Sequence, residues 1–183
     1  MTITLDDYDY VREHVRQVPD FPKKGILFLD ITTATKDAKS FAKSIEFLYD
    51  EFKDENINYI AGIESRGFIY GAALASKLGI GFIPIRKPNK LPADTIKESY
   101  DLEYGSDTIE IHKDAVKQGD RVVIIDDLLA TGGTAAAACN LIRKTGAEAV
   151  ATAFIIELDP LKGREKIEEK GIKVVSMLHY DLD

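Results

Sequence analysis

Residues 122–134 read VVIIDDLLATGGT, and this stretch decides the fold of the chain. Its first four residues form a continuous apolar run, which is typical of a central strand buried on both faces of a parallel sheet. Asp126 and Asp127 follow at the carboxyl end of that strand, the edge of an open parallel sheet at which ligands bind. The segment ATGGT (130–134) is then the turn that leads into the next helix.

This turn has the composition of a phosphate site. Glycines let backbone N–H groups approach a ligand, threonine hydroxyls add donors, and a helix N-terminus contributes partial positive charge. The two aspartates suit hydroxyl groups instead, and a divalent cation can relieve their repulsion. A ligand with a phosphate at one end and a vicinal diol one sugar away satisfies both, and that ligand is a 5-phosphoribose. The alternative is a polar strand end with a glycine turn and a threonine N-cap; the sequence contains neither a Walker loop nor a dinucleotide fingerprint.

Strand-like and helix-like segments alternate along the whole chain. Strands are predicted at 59–63, 81–85, 121–125, 149–157 and 172–178. Helices are predicted at 6–17, 38–55, 67–78, 134–144 and 163–170. This alternation predicts an α/β fold in which a central, mostly parallel sheet is flanked by helices on both faces. Residues 99–111 alternate differently about a Gly-Ser-Asp turn, which predicts a β-hairpin.

Length and charge narrow the class of protein. A chain of 183 residues predicts a single domain over 1–183. Its 31 acidic and 24 basic residues argue against non-specific nucleic-acid or anionic-membrane binding. No apolar run reaches the roughly 18 residues of a spanning helix, and the N-terminus carries acids where a signal peptide is basic. Cys139 is the only cysteine, so no internal disulfide forms, and we expect a cytoplasmic protein with no nucleic-acid or membrane partner.

The stretch VVIIDDLLATGGT resembles the phosphoribosyl pyrophosphate (PRPP) motif of the type I phosphoribosyltransferases. Other blocks resemble the adenine phosphoribosyltransferase family in the same order: VPDFPKKGILFLDIT (18–32), GIESRGFIYG (62–71), IRKPNKLP (85–92), YDLEYGSDTIEIHKDA (100–115) and ELDPLKGREK (157–166). The resemblance implies the type I phosphoribosyltransferase fold, with a small N-terminal helix and base-binding hood over 1–35 and a flexible hairpin lid over 99–111. It also implies a homodimer that transfers the phosphoribosyl group of PRPP to N9 of adenine, giving AMP and pyrophosphate with Mg²⁺.

The resemblance assigns the residues of the PRPP site. Those expected to bind the ribose and the 5′-phosphate are Asp126, Asp127, Ala130, Thr131, Gly132, Gly133 and Thr134. Departing pyrophosphate needs cations and donors where its charge builds up. Those expected to bind it are Ser65, Arg66, Gly67, Arg86, Lys87, Lys90 and Tyr104, with Lys87 and Lys90 reaching it from a neighbouring subunit. A solvated basic loop is the alternative for RKPNK.

The base site is expected in the segment GILF. Adenine presents a donor at N6 beside an acceptor at N1, which one extended residue matches with its own C=O and N–H. By resemblance that residue is Leu27, with Ile26 beside it and Phe28 stacking on the purine. A 6-oxopurine reverses the order, at a cost of about 1–3 kcal/mol per unpaired group. Leu29 stands where the family pattern has arginine, which leaves base specificity open, and a core strand is the alternative for this segment.

A lid is expected because a phosphoribosyl cation-like transition state would react with water if exposed. Glu103 is expected to accept or stabilise the N9 proton, and Tyr104 to close over PRPP. Arg66, Asp126 and Asp127 complete the expected catalytic set.

Mg²⁺ is expected to be held mainly by PRPP oxygens and water, without a dedicated protein site. His14, His112 and His179 show no metal-ligand spacing. Two alternatives remain: transfer to another purine such as hypoxanthine or xanthine, or a non-catalytic PRPP-sensing regulator. A regulator should carry a DNA-binding extension or a basic face, and this acidic chain has only a short N-terminal helix.

Overall fold

The computed structural model describes residues 3–101 and 105–181. The helices are α1 (Leu5–Glu13), α2 (Thr32–Lys36), α3 (Ala38–Phe52), α4 (Gly67–Leu78), α5 (Gly133–Lys144) and α6 (Gly163–Glu168). The strands are β1 (Arg16–Pro19), β2 (Leu27–Asp30), β3 (Tyr59–Ile63), β4 (Gly81–Ile85), β5 (Thr95–Asp101), β6 (Ser106–His112), β7 (Arg121–Ile125), β8 (Leu128–Leu129), β9 (Glu148–Leu158) and β10 (Lys173–Tyr180). A 3-10 turn covers Asp159–Leu161.

The central sheet has the spatial order β10-β9-β7-β3-β4, and β8 pairs with β9 beyond the end of β7. All of these pairs are parallel. The predicted strands 59–63, 81–85 and 121–125 are confirmed at their bounds, while β9 and β10 differ from their predicted bounds by one or two residues at an end. The continuous apolar run of β7 occupies the middle of the sheet, where both of its faces are covered.

Two hydrophobic clusters cover the two faces of the sheet. One cluster packs α3 and α4 against side chains such as Ile60 and Val123. The other packs α5 against the next residues along the same strands, Ala61 and Ile124. Alternate residues of a strand point to opposite faces, so this division follows from the pleat. The predicted α/β fold with helices on both faces is confirmed.

Local signals fix the ends of the helices on the α3 and α4 side. Asp37 caps α3, because its carboxylate accepts a 2.8 Å hydrogen bond from the N–H of Ser40. Gly79 ends α4 in the left-handed conformation, with φ at 71°. The α3 helix ends at Phe52, three residues before the predicted bound, and α6 ends at Glu168, two residues before its own.

The N-terminal region departs from the prediction. The expected helix over 6–17 ends at Glu13, and the chain turns at once into β1, which pairs antiparallel with β2. The periodic pattern runs on through Gln17, but the pairing of Gln17 with Leu29 in the ladder overrides it. The region expected to be the N-terminal helix and hood therefore contains α1, the two-stranded sheet and nearly all of α2.

The predicted hairpin is confirmed, and it is longer than expected. Strand β5 begins at Thr95 and β6 ends at His112, with an unbroken antiparallel register between them. Leu102, Glu103 and Tyr104 lie outside the described residues, so the roles expected of Glu103 and Tyr104 stay predictions. Across the described ranges, no helix combines the length and apolarity needed to cross a membrane.

Candidate active site

The carboxyl ends of β3 and β7 meet at one edge of the sheet. The register pairs Gly62 with Ile125, so the turn after β3 lies beside the two aspartates that follow β7. Gly67 permits this approach, because a Cβ at this position would lie 2.6 Å from the carbonyl oxygen of Ile125 and 3.1 Å from Asp126 Oδ1. The structure therefore brings together the Ser65–Gly67 turn and the acid pair, as predicted.

Asp127 forms an ion pair with Arg66 across this edge. The guanidinium Nε donates to Asp127 Oδ2 at 2.5 Å, and Asp127 is only 5% exposed. Burial alone would lower the pKa of Arg66, but the charge of Asp127 and its hydrogen bond raise it above its ordinary value. The sequence predicts both residues but gives no sign that they contact one another.

Asp126 lies in a different environment. Its Oδ1 accepts a 2.9 Å hydrogen bond from the N–H of Asp127. Desolvation of the Asp126 carboxyl, reinforced by the neighbouring charge of Asp127, raises its pKa well above the usual range. The two carboxyls of the pair thus have different surroundings: Asp127 faces the guanidinium of Arg66, whereas at Asp126 desolvation and the neighbouring carboxylate disfavour the ionised form.

Asp126 also borders a small cavity of about 90 Å³ over the glycine turn. The residues that line it are Asp126, Leu128, Leu129, Ala130, Thr131, Gly132, Gly133, Thr134, Ala135 and Phe154. The N-terminus of α5 opens into this cavity, since the helix begins at Gly133. Of the seven residues expected to bind the ribose and the 5′-phosphate, all except Asp127 therefore line one space, and the backbone dipoles of the helix N-terminus favour an anion there.

A glycine outside the phosphate turn, Gly163, packs closely against it. Gly132 has φ at 74°, and a Cβ added to it would lie 2.6 Å from the carbonyl oxygen of Gly163. A Cβ on Gly163 would in turn lie 2.2 Å from the carbonyl oxygen of Ala130. The first residue of α6 thus packs against the turn, backbone to backbone. The glycine of LKGREK is the sequence signal for this contact.

The basic loop after β4 is held by acids. Arg86 donates to both carboxylate oxygens of Glu64, with Nε at 3.0 Å, and the N–H of Lys87 donates to the same carboxylate at 2.9 Å. The ammonium of Lys87 pairs with Asp107 of β6, and this hydrogen bond lowers the pKa of Asp107. Glu64 precedes Ser65, so the loop lies beside the expected pyrophosphate turn. The carbonyl of Lys90 is 3.5 Å from Arg86.

In the hood, Leu27 and Phe28 of the segment GILF begin strand β2, and Gly25 and Ile26 precede it. Pro19 is the partner of Leu27 in the ladder, and proline has no N–H, so the Leu27 carbonyl receives no ladder hydrogen bond from β1. The ring of Phe28 packs edge-on against Phe21, with 5.2 Å between centroids. Ile26 is largely exposed. The expected base-site residues are thus accessible or half-buried.

Leu29 shares the core-facing side of β2 with Leu27, which packs against the same hydrophobic cluster, and Phe28 lies between them on the opposite side. Leu29 is 4% exposed and belongs to the core on the α3 and α4 side of the sheet, so its side chain does not join Phe28. Contacts beyond β2 tie the hood to the site: Thr35 of α2 and Tyr70 of α4 share a 2.8 Å hydrogen bond, and the charge of Asp30 acts on Arg66. Burial raises the pKa of Tyr70 to about 12, so its hydroxyl stays protonated.

Within the described ranges, one group of side chains has metal-ligand spacing away from the acid pair. Ligand atoms of Glu157, Asp159 and His179 lie within 4.8 Å of one another. Arg164 already holds both carboxylate oxygens of Glu157, and His179 Nδ1 is 2.8 Å from Asp159. The group is therefore an ion-pair network that fastens α6 to β9 and β10.

An acid pair at the end of a central parallel strand, followed by a glycine turn at a helix N-terminus, defines a phosphoribosyltransferase. In agreement, the family model described as phosphoribosyl transferase domain matches residues 30–181. Adenine phosphoribosyltransferase of Koribacter versatilis is 52% identical over 174 residues, which cover 95% of this chain and 94% of the relative. The chain belongs to the adenine phosphoribosyltransferase family.

Solved structures agree with this assignment. The crystal structure of adenine phosphoribosyltransferase from Thermoanaerobacter pseudethanolicus superposes with a TM-score of 0.90 at 48% identity, covering 94% of this chain and 99% of that one. The Saccharomyces cerevisiae enzyme, complexed with an imino-altritol bisphosphate and adenine, gives a TM-score of 0.89 at 41% identity over 96% and 100% of the two chains. The predicted type I phosphoribosyltransferase fold and family are confirmed.

Proposed function

We propose that this protein transfers the 5-phosphoribosyl group of PRPP to N9 of adenine, producing AMP and pyrophosphate, a purine-salvage reaction. The observation that carries the proposal is the shared edge of the sheet, where Asp126 borders the phosphate cavity while Asp127 holds Arg66. In the reaction, N9 bonds to C1′ of PRPP, the C1′–O bond breaks, and its electron pair leaves on pyrophosphate. The proton of N9 passes to a base.

The proposed PRPP site has two parts, one that favours an anion and one that accepts hydrogen bonds from hydroxyls. The 5′-phosphate enters the cavity of residues 130–134, where the N-terminus of α5 and the threonine hydroxyls supply donors. The ribose hydroxyls donate to Asp126 and Asp127. Binding a hydroxyl donor beside the buried carboxyl stabilises its ionised form, which reverses part of the pKa shift described above.

Pyrophosphate leaves toward the turn after β3. Arg66 supplies a guanidinium that Asp127 already holds in place, so little reorganisation is needed as charge develops. Ser65 and the Gly67 backbone add donors at the same turn. Arg86, Lys87 and Lys90 line the loop beside it, and we propose that they bind the outer phosphates.

Adenine is proposed to bind along the β2 strand. The Leu27 carbonyl lacks a ladder donor from β1 and can accept the N6 amino group, while the N–H of the same residue donates to N1. Phe28 stacks on the purine, with its other edge supported by Phe21, and Ile26 borders the base. Hypoxanthine and xanthine place an oxygen at position 6 and would leave this carbonyl facing another acceptor.

Glu103 is the proposed base for the N9 proton, and Tyr104 the proposed cover for PRPP. In the sequence both residues fall between strands β5 and β6, and a hairpin lid would exclude water from a cationic sugar. In this proposal residues 1–183 act as one domain, with 1–35 as the hood and 99–111 as the lid.

Mg²⁺ fits the donor chemistry of the site. Two carboxylates side by side, one of them with a strongly raised pKa, provide hard oxygen ligands whose repulsion a cation relieves. When bound, the ion neutralises phosphate charge, and we propose that PRPP oxygens and water hold most of it. Asp126 is the protein group placed to contact such water.

A homodimer and a cytoplasmic location complete the proposal. Phe21, Ile26 and Ile69 are exposed apolar side chains, which a second copy of the chain could cover. Because the loop that carries Lys87 and Lys90 lies beside the Ser65–Gly67 turn of its own chain, we propose that both lysines serve that chain's own site rather than the neighbouring one. A single cysteine, buried in α5, and a net charge of −7 suit the cytoplasm.

The test is a panel of purines. Purified protein is incubated with PRPP and Mg²⁺ and with adenine, hypoxanthine or xanthine in turn, and nucleotide and pyrophosphate are measured together. Adenine should be converted to AMP with a kcat/KM at least tenfold above either 6-oxopurine. Equal use of hypoxanthine would overturn the proposed base site, and PRPP binding without any turnover would favour the regulator.

A further inference from the structure

A chain of polar contacts joins the phosphate turn to the hairpin and the basic loop. Thr134, the second residue of α5, donates its hydroxyl proton to the Tyr100 hydroxyl at 3.1 Å. Tyr100 donates in turn to Asp107 at 3.2 Å, and the ammonium of Lys87 pairs with the same carboxylate. Tyr100 and Asp107 are partners across the β5–β6 ladder. These polar contacts therefore lead from the cavity, through the hairpin, to Lys87 on the pyrophosphate side.

Each hydroxyl in this chain has a single proton. A phosphate in the cavity is a charged acceptor and attracts the Thr134 proton more strongly than a phenol does. Once Thr134 donates to phosphate, Tyr100 can donate either to Thr134 or to Asp107, but not to both. Filling the cavity therefore removes one hydrogen bond from this series of polar contacts.

At Lys87, where these polar contacts end, one anion has to replace another. In the ligand-free protein Asp107 is the acceptor for Lys87, and both side chains are partly buried. Pyrophosphate can take the place of this carboxylate only if the ion pair opens. By the same preference for a charged acceptor, Tyr100 keeps its hydrogen bond to Asp107, and the bond that is lost is the one from Thr134. Tyr100 and the carboxylate that it holds are then no longer fastened to α5, which frees Asp107 to withdraw from Lys87.

We propose that Tyr100 and Asp107 are positioning residues that couple occupancy of the 5′-phosphate cavity to the release of Lys87 toward pyrophosphate. The proposal rests on the proposed function, because it takes the phosphate cavity and the Ser65–Gly67 turn as halves of one PRPP site. Neither residue has to touch substrate for the coupling to operate. The coupling is also reciprocal, so pyrophosphate must favour 5′-phosphate binding by the same factor.

The experiment measures binding of the two fragments of PRPP. The Kd of pyrophosphate is determined by calorimetry with Mg²⁺ present, first alone and then with saturating ribose 5-phosphate. The ratio of the two values is the coupling factor. One hydrogen bond corresponds to roughly a two- to tenfold change, so Tyr100→Phe should lower the coupling factor of the wild-type protein by about that amount. Asp107→Asn should do the same.

Ser99→Ala is the matched control. Ser99 and Thr108 form the neighbouring cross-strand pair, with a 2.9 Å hydrogen bond between their hydroxyls, and they point to the opposite face of the hairpin. This variant weakens the same hairpin without touching the chain from Thr134 to Lys87. Its coupling factor should equal that of the wild-type protein.

A coupling factor that is unchanged in both Tyr100→Phe and Asp107→Asn would overturn the proposal. An equal loss in Ser99→Ala would also overturn it, because hairpin stability alone would then explain the effect. The binding measurement needs no turnover, so it is separate from the purine panel. A protein that shows the coupling but makes no AMP would keep the positioning role and lose the proposed reaction.

Discussion

Replacing Gly132 with alanine tests how closely Gly163 packs against the phosphate turn. Gly132 has φ at 74°, and its added Cβ would lie 2.6 Å from the carbonyl oxygen of Gly163. Gly171 has nearly the same φ, 73°, and a Cβ there would meet nothing within 4 Å. The two substitutions share the backbone strain and differ only in the clash. Gly171→Ala is therefore the matched control.

The magnitudes follow from this comparison. An alanine in the left-handed region costs about 1–2 kcal/mol, and both variants should lose that much free energy of unfolding. Ordinary contact begins near 3.4 Å, so Gly132→Ala must also open the contact with Gly163 by about 0.8 Å, at an overpacking cost of about 1–3 kcal/mol. We therefore expect a loss of about 1–2 kcal/mol for Gly171→Ala and about 2–5 kcal/mol for Gly132→Ala.

The displaced turn should also bind phosphate less well. Losing one charge-assisted hydrogen bond costs about 1.5–3 kcal/mol, which raises the KM for PRPP roughly 10- to 150-fold. The KM for adenine should stay within about twofold, because the base site lies on the separate β2 strand. Initial rates with each substrate varied, together with urea unfolding of both variants, provide the measurements. Equal increases in the PRPP KM for Gly132→Ala and Gly171→Ala would refute the bracing role of Gly163.

Three further predictions concern single carboxylates. Asp126→Asn should abolish turnover yet stabilise the ligand-free protein at pH 7. Because the pKa of Asp126 is raised in the folded state, the folded protein binds the extra proton, and the stability that this proton contributes is lost as pH rises above about 4. Urea unfolding of the variant should lack that decline, and a variant less stable than wild type at pH 7 would contradict this prediction. Glu157→Gln should cost about 1–3 kcal/mol in urea unfolding, because Glu157 is 3% exposed and loses its charged hydrogen bonds to Arg164. The exposed Glu165→Gln should cost less than about 0.5 kcal/mol, and similar losses in the two variants would contradict the burial argument. Glu103→Gln should lower kcat at least about tenfold with little change in PRPP affinity; a binding defect alone would remove its proposed role in proton transfer.

Much of the central sheet could be predicted because its signals are local. The runs that form β3, β4 and β7 are short, apolar and bounded by turn residues, so their limits are visible in the sequence. Strand β1 could not be predicted in the same way. Its residues continue the helical pattern of α1, and only the distant partner β2 makes the extended conformation favourable.

The site shows the same division. The acid pair and the glycine turn are contiguous in sequence, and the structure places them together as predicted. The ion pair between Arg66 and Asp127 joins residues 61 positions apart, and the contact between Thr134 and Tyr100 joins residues 34 positions apart. Such pairs depend on which strand ends meet and on the register of the hairpin, and the local composition of the sequence determines neither.

The most direct measurement is a crystal structure of the protein with AMP bound. The phosphate should lie in the cavity over the glycine turn, about 3 Å from backbone N–H groups of residues 131–134. The ribose hydroxyls should contact Asp126 and Asp127, and the purine should stack on Phe28 with its N6 and N1 at the backbone of Leu27. Nucleotide bound elsewhere, with this cavity empty and both acids directed to solvent, would contradict the proposed function.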